Sequence, residues 1–143
     1  MMLPALLLAI APPAATIDDL PLGVLPPQAL PAKGCAAYLF TTGATKALAA
    51  AYDADAGVLR IVLDGVPLSL PRVASSGAVA LGLPDETHFR GDGVAEAVLT
   101  LTVREQGGLT GGALVPEALL RLDRAQQDGI AVPLAGLVGC AGG

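Results

Sequence analysis

The chain has 143 residues, of which 53% are apolar and only 15% charged, a balance that excludes intrinsic disorder and suffices for one domain with its own core. Its formal net charge of −5 argues against nucleic acid as a partner, because a phosphate backbone is bound by clustered Lys and Arg. With no Trp and only two Phe and two Tyr, the core must be built from small aliphatic residues; the 18 Gly and 12 Pro favour many short elements over a few long helices.

Leu3-Pro4-Ala5-Leu6-Leu7-Leu8-Ala9-Ile10-Ala11 is an apolar run too short to span a bilayer, and prolines and small residues follow it. Residues 1–16 are therefore expected to be a secretory signal peptide. No other stretch is long enough for a membrane span, so the product is expected in the periplasm or outside the cell. Residues 17–33 carry prolines at 21, 26, 27 and 31, a spacing that forbids a helix and disfavours a central strand. They are expected to form a Pro-rich linker or strap, partly packed down through Leu20, Leu22, Val24, Leu25 and Leu30.

Residues 34–143 read as a single β domain. Strands are expected over 35–41 and 47–52, flanking a Thr42-Gly43-Ala44 turn. In residues 58–63, Leu59, Ile61 and Leu63 point one way; Asp64-Gly65 then supplies a two-residue hairpin turn, and Val66, Leu68 and Leu70 continue the apolar face. Pro67 and Pro71 each delete an amide donor, which places that strand at an edge or gives it a bulge. The chain continues through Ser75-Ser76-Gly77-Ala78 to a strand ending in His88-Phe89-Arg90-Gly91.

Over 94–104, Ala95, Ala97, Leu99, Leu101 and Val103 are expected inward, with Glu96, Thr100, Thr102 and Arg104 outward. Gln106-Gly107-Gly108 turns the chain into a strand over 113–123, where Ala118, Leu120 and Leu122 alternate with Glu117, Leu119, Arg121 and Asp123, and a last strand is expected over 130–140. About eight strands in hairpin succession, with no amphipathic helix, imply an all-β fold: an antiparallel eight-stranded barrel, or a flattened barrel or sandwich. Cys35 and Cys140, the only two cysteines, fall on the first and last strands. In an exported chain they are expected to form a disulfide that ties those strands together, as a closing barrel requires.

The remaining chemistry is sparse. His88 is the only histidine, and no Gly-x-Ser-x-Gly turn is present, so no hydrolytic triad is legible; a catalytic site would need His88 to meet Asp85 or Glu86 and a serine. Two distant cysteines and one histidine make no zinc cluster. Asp53, Asp55 and Asp64 have the spacing of calcium-loop positions 1, 3 and 12, but Gly57 and Val58 fall where an EF-hand needs an oxygen ligand and its glycine. No glycine loop for phosphates exists. No cofactor, metal or catalytic residue is expected, and nothing in the sequence fixes an oligomeric state.

Leu63-Asp64-Gly65, Leu70-Pro71-Arg72-Val73, Ser76-Gly77-Ala78 and Arg90-Gly91-Asp92 followed by Ala95 together resemble the periplasmic C-type lysozyme inhibitors of Gram-negative bacteria. Cys35, Tyr52 and Asp53 are similar to that family's opening strands, so the resemblance covers residues 35–99. It implies an eight-stranded antiparallel barrel and a partner surface made by Ser76, Gly77, His88, Arg90 and Gly91. Ser76 and Arg90, side by side, would enter the cleft of a C-type lysozyme and engage its two catalytic carboxylates. The chain departs from the family at Ala80, where a tyrosine is expected; at His88, in place of an aromatic; and at Arg90, in place of lysine. The forty residues after Val103 exceed the usual domain. The alternative from the residues alone is an envelope-associated structural or interaction domain without lysozyme inhibition.

Overall fold

The computed structural model describes residues 16–91, 93–105, 111–124 and 127–141. Most of the expected signal peptide, Asp92 and the Gln106-Gly107-Gly108 turn lie outside them. Eight strands follow one another: β1 (Cys35–Thr41), β2 (Leu48–Asp53), β3 (Val58–Leu63), β4 (Val66–Ala80), β5 (Leu83–Gly91), β6 (Val94–Arg104), β7 (Gly112–Arg124) and β8 (Ile130–Cys140). Each pairs antiparallel with the next, and β1 pairs with β8, so the sheet closes into a barrel.

Alternation decides what fills it. Ala37 and Leu39 of β1, Ala50 and Tyr52 of β2, Leu59 and Ile61 of β3, Thr87 and Phe89 of β5, Ala97 and Leu99 of β6, and Leu120 and Leu122 of β7 are buried at every second position. The rings of Tyr52 and Phe89 meet edge to face with centroids 5.1 Å apart. Small Ala side chains elsewhere leave room for these two aromatics in an eight-stranded lumen.

The barrel is latched where it closes. Cys35 lies directly opposite Cys140 in the β1–β8 register, and the two are joined by a disulfide across a sequence separation of 105. Cross-linking a loop that long removes denatured-state entropy worth about 4 to 5 kcal/mol in the chain-entropy model.

The Pro-rich segment is more than a linker. Ile17 and Leu22 are fully buried and belong to the main core, while Leu25 forms a second cluster with Ala51 and Val62. Gly23 donates its amide to the Val62 carbonyl, Leu25 to Leu48, and Asp64 to Pro21. The Tyr38 hydroxyl donates to the Ala29 carbonyl at 2.9 Å. The strap thus covers the outer faces of β1–β3, which is why Ala51 and Val62, on the outward parity of their strands, are buried.

The β3–β4 turn is the two-residue hairpin expected: Leu63 pairs with Val66, with φ of 50° at Asp64 and 81° at Gly65, a left-handed pair that a Gly at the second position accommodates. Beyond it, β4 differs from expectation. It is one strand of 15 residues that runs straight through Ser75-Ser76-Gly77-Ala78 and turns only at Leu81-Gly82. Its first half pairs with β3 up to Pro71 and its second half with β5 from Arg72 onward. Arg72 donates its amide to Gly57 on the β3 side, so by alternation positions 67 and 71 face away from β3. Among the described residues that flank of the strand has no ladder partner before Arg72, and the missing proline donors break no ladder bond. Edge character is thus local; of the two bulges of the β4–β5 ladder, one falls between Arg72 and Ala74, directly after Pro71, and the other between Ser76 and Val79, away from both prolines.

Candidate functional site

On β5, Thr87 and Phe89 point into the barrel, so Glu86, His88 and Arg90 point out. The β4–β5 register sets Ser76 opposite Glu86, Ser75 opposite Thr87 and Ala74 opposite His88. Arg90 lies four residues along β5 from Glu86, about 13 Å at the rise of an extended strand. The structure therefore does not bring Ser76 and Arg90 side by side, which corrects the arrangement expected from the family resemblance. Both bulges insert their extra residue into β4, and the pairing that results gives Ser76 a carboxylate neighbour in place of a cation.

The surroundings of these residues are open. Residues 71–79 are all exposed, on both faces of β4, as is Arg90; Val73 and Val79 are 53% and 64% exposed. The strap packs on β1–β3 and leaves this face uncovered. Gly77 has φ of 88°, and a Cβ there would lie 2.7 Å from the Cβ of Asp85. Asp85 accepts a hydrogen bond from the Ala78 amide at 3.0 Å. Ser76-Gly77-Ala78 is thus a bulge held in one conformation by Asp85, and the glycine is required there. Gly91 lies at the end of β5, beside the shift of the β5–β6 register.

His88 is the centre of the most organised polar group on the surface. Its Nε2 lies 3.0 Å from Oε2 of Glu86 and its Nδ1 2.5 Å from Oε1 of Glu96. Glu86 is two residues back on the same strand and the same face. Glu96 comes from β6: His88 pairs with Val98, and Glu96 is the diagonal neighbour two residues away. Hydrogen bonding to Glu86 first, and to Glu96 second, raises the His88 pKa above its ordinary value. The same bond to His88 is the largest cause lowering the pKa of Glu86, with smaller contributions from Arg121 and Ser76.

Two grooves flank this group. One, of about 480 Å³, is lined by His88, Glu96, Val98, Arg121, Asp123 and Ile130. The other, of about 790 Å³, carries Asp85, Glu86 and Glu117 with the hydroxyls of Thr42, Thr100 and Thr102. No basic side chain lines the larger groove among the described residues.

The chemistry available is limited by how the ring is used. His88 does meet Glu86, with Ser76 across the ladder, but both imidazole nitrogens face carboxylates. A serine nucleophile needs its hydroxyl on one ring nitrogen, and Ser76 is directed at Glu86. The two glutamates lie on opposite sides of the ring, and no group of His, Cys, Asp and Glu suited to a metal ion occurs among the described residues. Asp53, weighed as a calcium ligand, instead accepts the amides of Asp55 and Ala56 and so caps the β2–β3 turn. Asp64 pairs with Arg124 at 3.3 Å.

Two groups were not legible as a site. Glu96 reads only as an outward strand position until the β5–β6 register is known. Arg72 closes one end of the barrel by donating to the Tyr52 hydroxyl at 2.8 Å and to the Ala54 carbonyl at 3.1 Å; its place in Leu70-Pro71-Arg72-Val73 is the only signal for it. No helix of the described residues is long and apolar enough to cross a membrane. Set against known protein-family models, curated proteins and solved structures, the chain matches none.

Proposed function

We propose that the protein is an exported β-domain that binds another protein through the β4–β5 face, in the manner of the C-type lysozyme inhibitors it resembles. The observation that carries this is the unbroken exposure of residues 71–79 beside exposed Arg90. A disulfide belongs to oxidising compartments, which supports export. Arg90 is the contact of greatest consequence, because a guanidinium pairs with a carboxylate through two parallel hydrogen bonds. Net charge −5 would draw the protein to a basic lysozyme and act mainly on the association rate.

The separation of Ser76 from Arg90 alters the mechanism. The two carboxyl groups of a retaining glycosidase stand only about 5 to 5.5 Å apart, so a Ser76–Arg90 pair about 13 Å apart along the sheet does not address both at once. Arg90 alone would enter the cleft, with Ser76, Gly77 and His88 contacting its rim. That separation also favours the second reading, an envelope-associated interaction domain that does not inhibit lysozyme. Lysis of cell walls by a C-type lysozyme discriminates them. Purified protein slows lysis and Arg90→Ala loses the effect if the first reading holds; no inhibition at high micromolar protein establishes the second.

A further inference from the structure

Only one protonation state satisfies the contacts of His88. A neutral imidazole has one N–H and one acceptor nitrogen, whereas a carboxylate oxygen can only accept. With Glu86 against Nε2 and Glu96 against Nδ1, both ring nitrogens must donate, and the ring must be an imidazolium. The groups around it are Glu86 and Arg90 on β5, Glu96 on β6, and Arg121 and Asp123 on β7; β4 contributes Ala74 and Ser76 and no charge.

We propose that His88 is a pH-gated clamp: as an imidazolium it joins Glu86 to Glu96 across the outer face of β5 and β6, and on losing its proton it releases one carboxylate beside Ser76. The released group is Glu86. Glu86 has other partners to turn to, the Ser76 hydroxyl across the ladder and the Arg121 guanidinium. Closed, the three groups carry one net negative charge; open, they carry two. The added charge falls between the two grooves, on the same face as Arg90. All three side chains are about one-third exposed, so the ring exchanges its proton with solvent without any opening of the barrel. Two carboxylates stabilising the charged ring place the change above the ordinary histidine value of 6.5.

The consequence for binding rests on the function proposed above. A second negative charge on the face that carries Arg90 repels the carboxylates of a lysozyme cleft, so binding weakens as the clamp opens.

Because His88 is the only histidine, its ring resonances can be followed without ambiguity by nuclear magnetic resonance in the full chain. We expect both ring nitrogens protonated at and below the ordinary histidine value of 6.5 and a titration midpoint above it. Glu96→Gln and Glu86→Gln should each move that midpoint down, and the double variant furthest. In the wild type, the amide signals of Glu86 and Glu96 should shift at the same midpoint. A single neutral tautomer at pH 6.5, or a midpoint that ignores both substitutions, overturns the clamp. Lysozyme inhibition followed over the same range should fall through the midpoint in the wild type and lose that dependence in Glu86→Gln. Inhibition that ignores the midpoint overturns the binding consequence. Absence of inhibition at every pH overturns the lysozyme reading, and the ring titration by itself then decides whether the clamp exists.

Discussion

At the scale of single residues, side-chain protonation and backbone conformation set the sharpest expectations. His88 has a raised pKa and Glu86 a lowered one, and their effects on stability have opposite pH senses. The contribution of His88 is complete below its ordinary value of 6.5 and is lost as pH rises through the raised value. That of Glu86 is complete above the ordinary 4.5 and is lost as pH falls through its lowered value. Thermal unfolding should therefore show this cluster contributing most between those two ordinary values, and His88→Gln should flatten the decline on the alkaline side. Gly77→Ala, measured by denaturant unfolding, should cost about 1 to 3 kcal/mol, since it combines a left-handed φ with a Cβ forced against Asp85. Val79→Lys on the same exposed strand should stay within about 0.5 kcal/mol of wild type. Tyr52→Phe removes one of the two acceptors of the Arg72 guanidinium and should cost about 1 kcal/mol.

At the scale of elements, what was legible follows from which signals are local. Alternation in Leu59-Arg60-Ile61-Val62-Leu63 and in residues 96–104 identifies strands without knowledge of their neighbours, and Asp64-Gly65 identifies its turn because a left-handed pair has a known residue preference. The second two-residue turn carries no such mark. Leu81 adopts φ of 53° before Gly82, a conformation a leucine reaches only because its side chain packs against the core. The small residues Ser75-Ser76-Gly77-Ala78 have the composition of a connection between strands, yet the structure places them inside β4. The register error about Ser76 and Arg90 has the same origin: each bulge adds a residue to one strand only, and bulges are not written in periodicity. The strap shows a further non-local effect. Ile17, Leu22 and Leu25 are buried, and at about 1.5 to 3 kcal/mol each their burial is comparable with the net stability of a small domain. Leu22→Ala should cost about 2 to 5 kcal/mol, whereas a strap that was only a linker would tolerate it without change in the unfolding midpoint.

At the scale of the whole molecule, closure by β1 and β8, the Cys35–Cys140 disulfide and the strap leave uncovered the β4–β5 face that carries Ser76, His88 and Arg90. The pairing of Cys35 with Cys140 was legible because two cysteines allow one intramolecular bridge; the openness of β4 was not, because it depends on β3 beginning only at Val58, whose partner Pro71 is the last β4 residue in that register. Reduction of the disulfide should lower stability by about 4 to 5 kcal/mol if the chain-entropy account holds, with Cys35→Ser/Cys140→Ser giving the same loss in unreduced protein. The claim that this face is the partner surface is tested most directly by a binding footprint: amide chemical-shift mapping of the full chain titrated with a C-type lysozyme. We predict perturbations concentrated on residues 74–78 and 86–91 that disappear in Arg90→Ala. Perturbations confined to the strap and β1–β3, or none at saturating lysozyme, would contradict it.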